Sequence, residues 1–436
     1  MGNILLKNIV CNGQKSDIFI GEGIIKKILP AGKLETDIMK PGNENLAESM
    51  ASGIEIADCS GKTAIPGFIN MHTHAAMSLM RGVEEDVPDL REWLDKIWAI
   101  EAKIDEDFVY WGTKAACLEM IKTGTTTFND QYWFAAAAKR AAEEMGIRGI
   151  ISYVVLDHND KNEAARQKEQ CLKKYEESRS WNGKAVFEMA FHAIYSVSEE
   201  MIIWASEFAR KRNLKLHIHL SETLKEVEDC KKAHGGLSPV EYLDRLGVLS
   251  GNLIAAHTLW LSEKDIELLG ANNVNCVHNI NSNTKLASGY MFKYNELRDA
   301  GANVCIGTDG CASSNNLDML EAMKTSALIQ KAWRKDPKAL PIGELINLGT
   351  VNGAKALDLD TGELAEGKIA DISIINTDNS FFLSPAPFLA NLIYSAHSDC
   401  IDSVIASGNF VMRNRVVKGE RKILDEAGKQ LKKITI

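Results

Sequence analysis

Thr63-Ala64-Ile65-Pro66-Gly67-Phe68-Ile69-Asn70-Met71-His72-Thr73-His74 is an apolar run that ends in two histidines. Its content reads as a strand leading into polar, chemistry-bearing residues. Side chains alternate along a strand with period two, so the imidazoles of His72 and His74 leave on the same side. Two such imidazoles can share one metal ion, or they can be two unrelated core histidines.

From this run onward, strand and helix patterns alternate. Strands read at 63–70, 125–129, 148–156, 186–192, 214–220, 252–257, 273–278 and 302–308. Helical stretches lie at 106–122, 134–145, 161–179, 198–212, within 223–247, and at 262–270, 316–333 and 342–356. Such alternation means parallel strands with crossover helices, and eight strands favour closure into a barrel over an open sheet. Both flanks read differently. Residues 4–29 are short strands with turns at Asn12-Gly13 and Gly21-Glu22-Gly23, and the tail from 365 returns to strands at 370–375, 404–406 and 411–412. The economical reading is an α/β fold. A (β/α)8 TIM-type barrel over 63–365 is inserted into a small β-sandwich domain built from 1–62 plus 366–436. Residues 31–53 read as a polar, exposed excursion. The basic residues Arg413, Arg415, Lys418, Arg421 and Lys422 read as the solvated face of a strand.

The composition, 45% hydrophobic and 25% charged, provides for a large core. A net charge of −9 without a long basic run argues against nucleic acid and anionic membrane as partners. No stretch approaches a membrane span, and the N-terminus lacks the pattern of a signal peptide. The nine cysteines contain no C-x-x-C pair. That disfavours a thiolate zinc site or a disulfide framework and fits a reducing, cytoplasmic setting.

Three further motifs fall at strand ends. His217-Ile218-His219-Leu220-Ser221-Glu222 closes the fifth strand, His257 closes the sixth, and Gly307-Thr308-Asp309-Gly310 follows the eighth. His219 lies nearer the C-terminal end, where barrel active sites form, and is read as a ligand; His217 lies one layer deeper, packed behind it. His257 taken singly could be a hydrogen-bonded core residue, and Asp309 between glycines could shape a turn. In a closed barrel, however, all these ends converge on one mouth. Three imidazoles and a carboxylate suit Zn²⁺ or Fe²⁺ with a position left open for water.

These motifs, in order and spacing, resemble the amidohydrolase superfamily in its mononuclear deaminase branch. His74-Ala75-Ala76-Met77-Ser78-Leu79-Met80-Arg81-Gly82, Glu92-Trp93-Leu94, Ile100-Glu101 and His278-Asn279-Ile280-Asn281-Ser282-Asn283 are similar to the 5′-methylthioadenosine/S-adenosylhomocysteine deaminases and their triazine-hydrolase relatives. Ile280 stands where that family usually has proline.

The resemblance implies one divalent metal ion per subunit, Zn²⁺ first and Fe²⁺ or Mn²⁺ as alternatives, held by His72, His74, His219 and Asp309. It implies that Asp309 takes the proton of the attacking water. Glu222 delivers a proton to the substrate ring, and His257 orients the nucleophile. It implies a purine nucleoside substrate contacted by Glu101 at the ribose diol and by His192 at the base, with Trp93 and Ser313 lining the pocket. It also implies a homo-oligomer. Arg166 matches a second family arginine. The arginine that clamps an amino-acid tail near the end of the third strand is Tyr153 here, and a phenol is a poor carboxylate clamp. Deaminases of guanine, pterin or cytosine and triazine chlorohydrolases are the competing activities on the same scaffold.

Overall fold

The computed structural model describes residues 2–34, 53–181 and 183–434. Five strands come first: β1 (Asn3–Cys11), β2 (Gln14–Gly21), β3 (Ile24–Pro30), β4 (Ile54–Asp58) and β5 (Lys62–Pro66). Eight more follow: β6 (Phe68–Thr73), β7 (Thr125–Asp130), β8 (Arg148–Val155), β9 (Ala185–Phe191), β10 (Leu216–Leu220), β11 (Leu253–His257), β12 (Asn275–His278) and β13 (Asn303–Ile306). These eight pair in parallel, in chain order from β6 to β13. The expected (β/α)8 barrel is therefore present.

Its seam lies between β6 and β13 and is closed just beyond the strand ends. Asp309 N–H donates to the His72 carbonyl at 2.9 Å. Asn70 Nδ2 donates to Thr308 Oγ1 at 2.7 Å, and Asn70 Oδ1 accepts from Thr308 N–H at 3.0 Å. Gly307 permits this approach, because a Cβ there would sit 2.8 Å from His72 N and 2.7 Å from Asn279 Oδ1. The seam thus brings the strand carrying His72 and the loop carrying Asp309 into contact.

The apolar run at 63–73 divides between two sheets. Lys62–Pro66 pairs antiparallel with β14 (Ile372–Asn376), and the chain passes into the barrel only at Phe68. Gly67 makes the crossing against Thr126, whose side chain leaves no room for a Cβ. With β15 (Ile401–Ala406) and β16 (Asn409–Met412), strands from both chain ends form one mixed sheet in the order β16-β15-β14-β5-β1-β2-β3. The sheet forks at β1: Asn3–Lys7 pairs with β4, whereas Val10 pairs with β5. Leu6, Ile9, Ile18, Ile20, Ile372 and Ile405 fill the core of this composite unit. A buried ion pair fastens it to the barrel. Arg148 donates to Asp371 Oδ2 at 2.7 Å, to Thr127 Oγ1 at 2.8 Å and to Ser407 Oγ at 3.0 Å.

Two local readings need correction. The basic tail is not a strand face beyond Met412. Arg421 and Lys422 lie on the helix Glu420–Gln430, which buries Ile423 and Ala427, spaced one helical turn apart. Arg415 turns inward to the carbonyls of Lys122, Ser398 and Ile401. The stretch 342–356 is two helices, Ile342–Leu348 and Val351–Ala356, and the Gly349 carbonyl freed between them accepts from Ile69 N–H at 2.8 Å. Of the excursion read at 31–53, residues 35–52 lie outside the described residues, while Leu34 packs with Leu5 and Phe19.

A helix that the sequence reading did not place, Leu90–Glu101, lies beside the barrel mouth. Asp89 caps it by accepting from Glu92 N–H at 2.9 Å, and Trp93, Ile97 and Ile100 form its buried stripe. Among the described residues no helix is long and apolar enough to cross a membrane.

Candidate active site

The four expected ligands meet at the mouth. His72 Nε2 and His74 Nε2 each lie 3.3 Å from Asp309 Oδ1, and His74 Nε2 lies 3.3 Å from His219 Nε2. The donor atoms of His72, His74 and His219 all lie within 4.8 Å of one another, close enough to share one ion. The donor atoms of His72, His257 and Asp309 also lie within 4.8 Å of one another.

Hydrogen bonds on the far side of each ring set its tautomer. His74 Nδ1–H donates to the Gln131 carbonyl at 2.5 Å, and His219 Nδ1–H donates to the His192 carbonyl at 3.0 Å. A carbonyl can only accept, so each neutral ring carries its proton on Nδ1 and turns a bare Nε2 inward. His72 Nε2 is buried with no hydrogen-bond partner. Bare nitrogens converging on a carboxylate oxygen, away from water, are what a divalent cation satisfies.

Disfavoured backbone also occurs at the site. Ser221, His257, Thr258 and Asp309 all have left-handed backbone, with φ of 52°, 74°, 45° and 66°. Such conformations in non-glycine residues are disfavoured and persist only where the surroundings fix them.

Glu222 and His257 flank the cluster. Glu222 Oε2 lies 3.7 Å from His257 Nε2, which in turn lies 3.9 Å from Asp309 Oδ2. Burial, then the charges of Asp309 and Glu226, push the Glu222 carboxyl well above the usual carboxylate range. This direction favours the protonated form of Glu222. Burial moves the His257 imidazole the other way, down to about 4, so it is uncharged at neutral pH. Its Nδ1 is held by the Asn283 side chain at 3.0 Å.

Glu226 clamps the turn bearing Glu222 by accepting the N–H groups of Ser221 at 2.9 Å and Glu222 at 2.8 Å. The sequence reading missed Glu226, although Thr223-Leu224-Lys225-Glu226 has the spacing of a capping box and could have flagged it. Gln131, Asn283 and Asn70 were missed as well. Their roles depend on the carbonyl or ring that faces them, which the sequence does not carry.

The expected substrate residues divide into two groups. Trp93, Glu101, His192 and Ser313 line the cavity of about 60 Å³ between the cluster and the helix Leu90–Glu101. Glu101 Oε2 accepts from Trp133 Nε1 at 3.1 Å, while its buried Oε1 has no partner. Burial pushes the His192 imidazole down to about 3, and its Nδ1 meets Ser196 Oγ at 2.8 Å. Ser313 Oγ donates to the Gly310 carbonyl at 3.0 Å.

Arg166 stands apart. It lines a neighbouring cavity of about 750 Å³ together with Tyr153, and that cavity shares Trp98, Glu101, Tyr132 and Trp133 with the first. Its guanidinium pairs with Glu163 through Nε at 2.8 Å and through Nη2. Cys311, beside the Asp309 loop, is buried, as are the other eight cysteines, and all nine are free thiols.

Comparison with known proteins agrees with this geometry. The amidohydrolase family profile matches residues 63–411. The chain is 43% identical over 374 residues to a 5′-deoxyadenosine deaminase of Methanoregula boonei, covering 85% of this chain and 84% of the relative. It is 40% identical over 417 residues to 5-methylthioadenosine/S-adenosylhomocysteine deaminase 1 of Archaeoglobus fulgidus, covering 94% and 98%. Among solved structures, an adenosine deaminase from Xanthomonas campestris with bound zinc superposes with a TM-score of 0.87 at 28% identity, covering 99% of this chain and 98% of the other.

Proposed function

The chain belongs to the amidohydrolase family, and on that footing we propose that it is a metal-dependent deaminase of adenine nucleosides, releasing ammonia and the inosine analogue. The observation that carries this reading is the convergence of His72, His74, His219 and Asp309 at the barrel mouth with the buried carboxyl of Glu222 on their flank. The barrel entered at Phe68 is the catalytic unit of this proposal, and the mixed sheet built from β1–β5 and β14–β16 belongs to its accessory β domain. The enzyme is taken to work in the cytoplasm as a homo-oligomer.

His72, His74, His219 and Asp309 would hold one divalent ion, zinc first and Fe²⁺ or Mn²⁺ as alternatives. When bound, that ion supplies Lewis-acid activation of water at neutral pH. Asp309 stands where it can take the proton that the water gives up. Glu222 begins protonated and donates to the ring nitrogen beside the amino-bearing carbon, as the deamination of a purine requires. Neutral His257, fixed by Asn283, orients the nucleophile. Neutral His192 presents its ring to the base, and the unpartnered Oε1 of Glu101 accepts from the ribose diol.

The 5′ end of such a substrate would point toward the larger cavity. There Arg166 is paired with Glu163, Lys174 is paired with Glu177, and Tyr153 is a neutral phenol. Small uncharged 5′ groups are therefore favoured over the charged tail of S-adenosylhomocysteine.

Ammonia release from zinc-loaded protein tests the reading. The panel comprises 5′-deoxyadenosine, 5′-methylthioadenosine, adenosine, S-adenosylhomocysteine, guanine, cytosine and a chlorotriazine. Turnover of the first three with the highest kcat/KM is the expected result. Silence on every adenosine derivative, with turnover of another ring, would overturn it.

A further inference from the structure

Behind His72 the barrel interior holds a polar layer that the reaction does not touch. Asn129, Ser152, Glu188 and His217 come from four consecutive strands, β7 to β10, and each is buried. Barrel layers of this kind are ordinarily filled by branched apolar side chains. Glu188 is especially costly there, because a buried carboxylate requires donors and a countercharge. Its donors are present: Ser152 Oγ at 2.8 Å and Asn129 Nδ2 at 3.2 Å. Among the described residues no lysine or arginine pairs with it, and its one ionic contact is His217 Nδ1 at 3.1 Å. His217 Nε2 in turn meets His72 Nδ1 at 2.9 Å.

Two imidazoles in contact must share one proton between the facing nitrogens. If His217 Nε2 donated, its neutral ring would present a bare Nδ1 to the Glu188 carboxylate, lone pair against lone pair. His72 would then carry its proton on Nε2, pointing at Asp309 and blocking ligation. The other arrangement satisfies every atom. His217 Nδ1–H donates to Glu188, His72 Nδ1–H donates to His217 Nε2, and His72 Nε2 is left bare.

We propose that Glu188 and His217 are positioning residues forming a buried relay that fixes the ligating tautomer of His72 and supplies a compensating negative charge behind the metal. The neighbouring ligands use neutral backbone carbonyls for the same task, so the relay marks His72 as the ligand whose basicity is raised through a carboxylate. Loss of such outer partners typically weakens metal binding about 10–100-fold.

This inference rests on the metal-site reading above, and the test separates the two. Zinc affinity of the full chain is measured by chelator competition, together with the visible spectrum of the cobalt-loaded protein and the thermal unfolding of each variant. Wild type should bind one zinc per chain; failure to do so would overturn the metal site and the relay together. His217→Phe and Glu188→Leu should fold and bind zinc about 10–100-fold more weakly, with a changed cobalt spectrum. His217→Gln, whose amide oxygen can accept from His72 Nδ1–H, should recover most of the affinity. A folded His217→Phe with wild-type zinc affinity and spectrum would sink the relay alone, as would a His217→Gln no better than phenylalanine. Should His217→Phe not fold, Glu188→Gln decides. It keeps an acceptor for His217 but removes the charge, so its affinity should fall below wild type while staying above that of Glu188→Leu; an unchanged affinity overturns the charge role.

Discussion

Replacing Glu222 by glutamine changes one atom and removes one capacity. The amide keeps the size of the side chain, and the backbone anchor to Glu226 through the Ser221 and Glu222 N–H groups stays in place. The 3.7 Å approach to His257 is therefore retained in outline. An amide can still donate a hydrogen bond to a ring nitrogen, so substrate binding persists, but it cannot surrender a proton at neutral pH. General-acid help of this kind is worth about 10²–10⁴ in rate, which is about 2.7–5.4 kcal/mol of barrier. The expected outcome is a kcat lowered by that factor, a KM within a few-fold of wild type, and one metal ion per chain, because Glu222 is outside the donor set. Steady-state ammonia release and elemental analysis read all three quantities. A kcat within tenfold of wild type would refute the proton-donor role. Metal loss with kcat would show instead that Glu222 supports the ligands.

The remaining expectations concern specificity, pH and architecture. Tyr153→Arg should raise the kcat/KM of S-adenosylhomocysteine relative to 5′-deoxyadenosine by about 10–100-fold, the worth of a charge-assisted contact of about 1.5–3 kcal/mol; an unchanged ratio would show that the tail does not reach the larger cavity. The profile of kcat/KM against pH should fall on the alkaline side, because the raised Glu222 acid must keep its proton to work and loses it as pH rises through its elevated pKa. It should also fall near pH 4, where the neutral His257 takes up a proton. The alkaline limb should be missing from the residual activity of Glu222→Gln. Arg148→Met leaves Asp371 buried without its cation and should cost about 3–5 kcal/mol in urea unfolding, whereas the double variant with Asp371→Leu should recover much of it; a single-variant loss below about 1 kcal/mol would contradict the buried-pair account. Gly307→Ala places a methyl against His72 and Asn279 and should weaken zinc affinity along with a loss of about 1–3 kcal/mol in stability, read by chelator competition and unfolding.

Much of the site could be read because polar residues interrupting apolar strands stand out in one dimension. His72, His74, His219, His257 and Asp309 each end or follow such a strand, and closure of the barrel brings them together. The stretch 63–70 reads as a single strand because the segments on either side of Gly67 are almost entirely buried, and periodicity cannot distinguish one buried sheet from another. The helix Leu90–Glu101 carried its signals, an aspartate cap and a stripe spaced by four and three, but spacing gives no direction in space, so its position beside the mouth was not readable. Glu188 is conspicuous as the charged residue within Phe187-Glu188-Met189-Ala190-Phe191, yet only tertiary structure reveals that it faces His217. Around Arg421 and Lys422 the helical period rests on a single apolar pair, Ile423 and Ala427, which is too short a pattern to outweigh the strand-like residues before it.

The sheet shared by both chain ends also sets the order in which the protein can be made. β5 ends at Pro66, whereas its partner β14 begins at Ile372. On a ribosome adding about 5–20 residues per second, the N-terminal strands emerge roughly 15–60 s before the strand that covers their open edge exists. His72 and His74 likewise wait for Asp309 to leave the exit tunnel before the seam can close. Throughout that interval β5 presents an unpaired edge to other chains, the exposure that invites misassembly and chaperone engagement. Truncation anywhere before Asn376 should therefore yield an aggregating polypeptide rather than a smaller working enzyme.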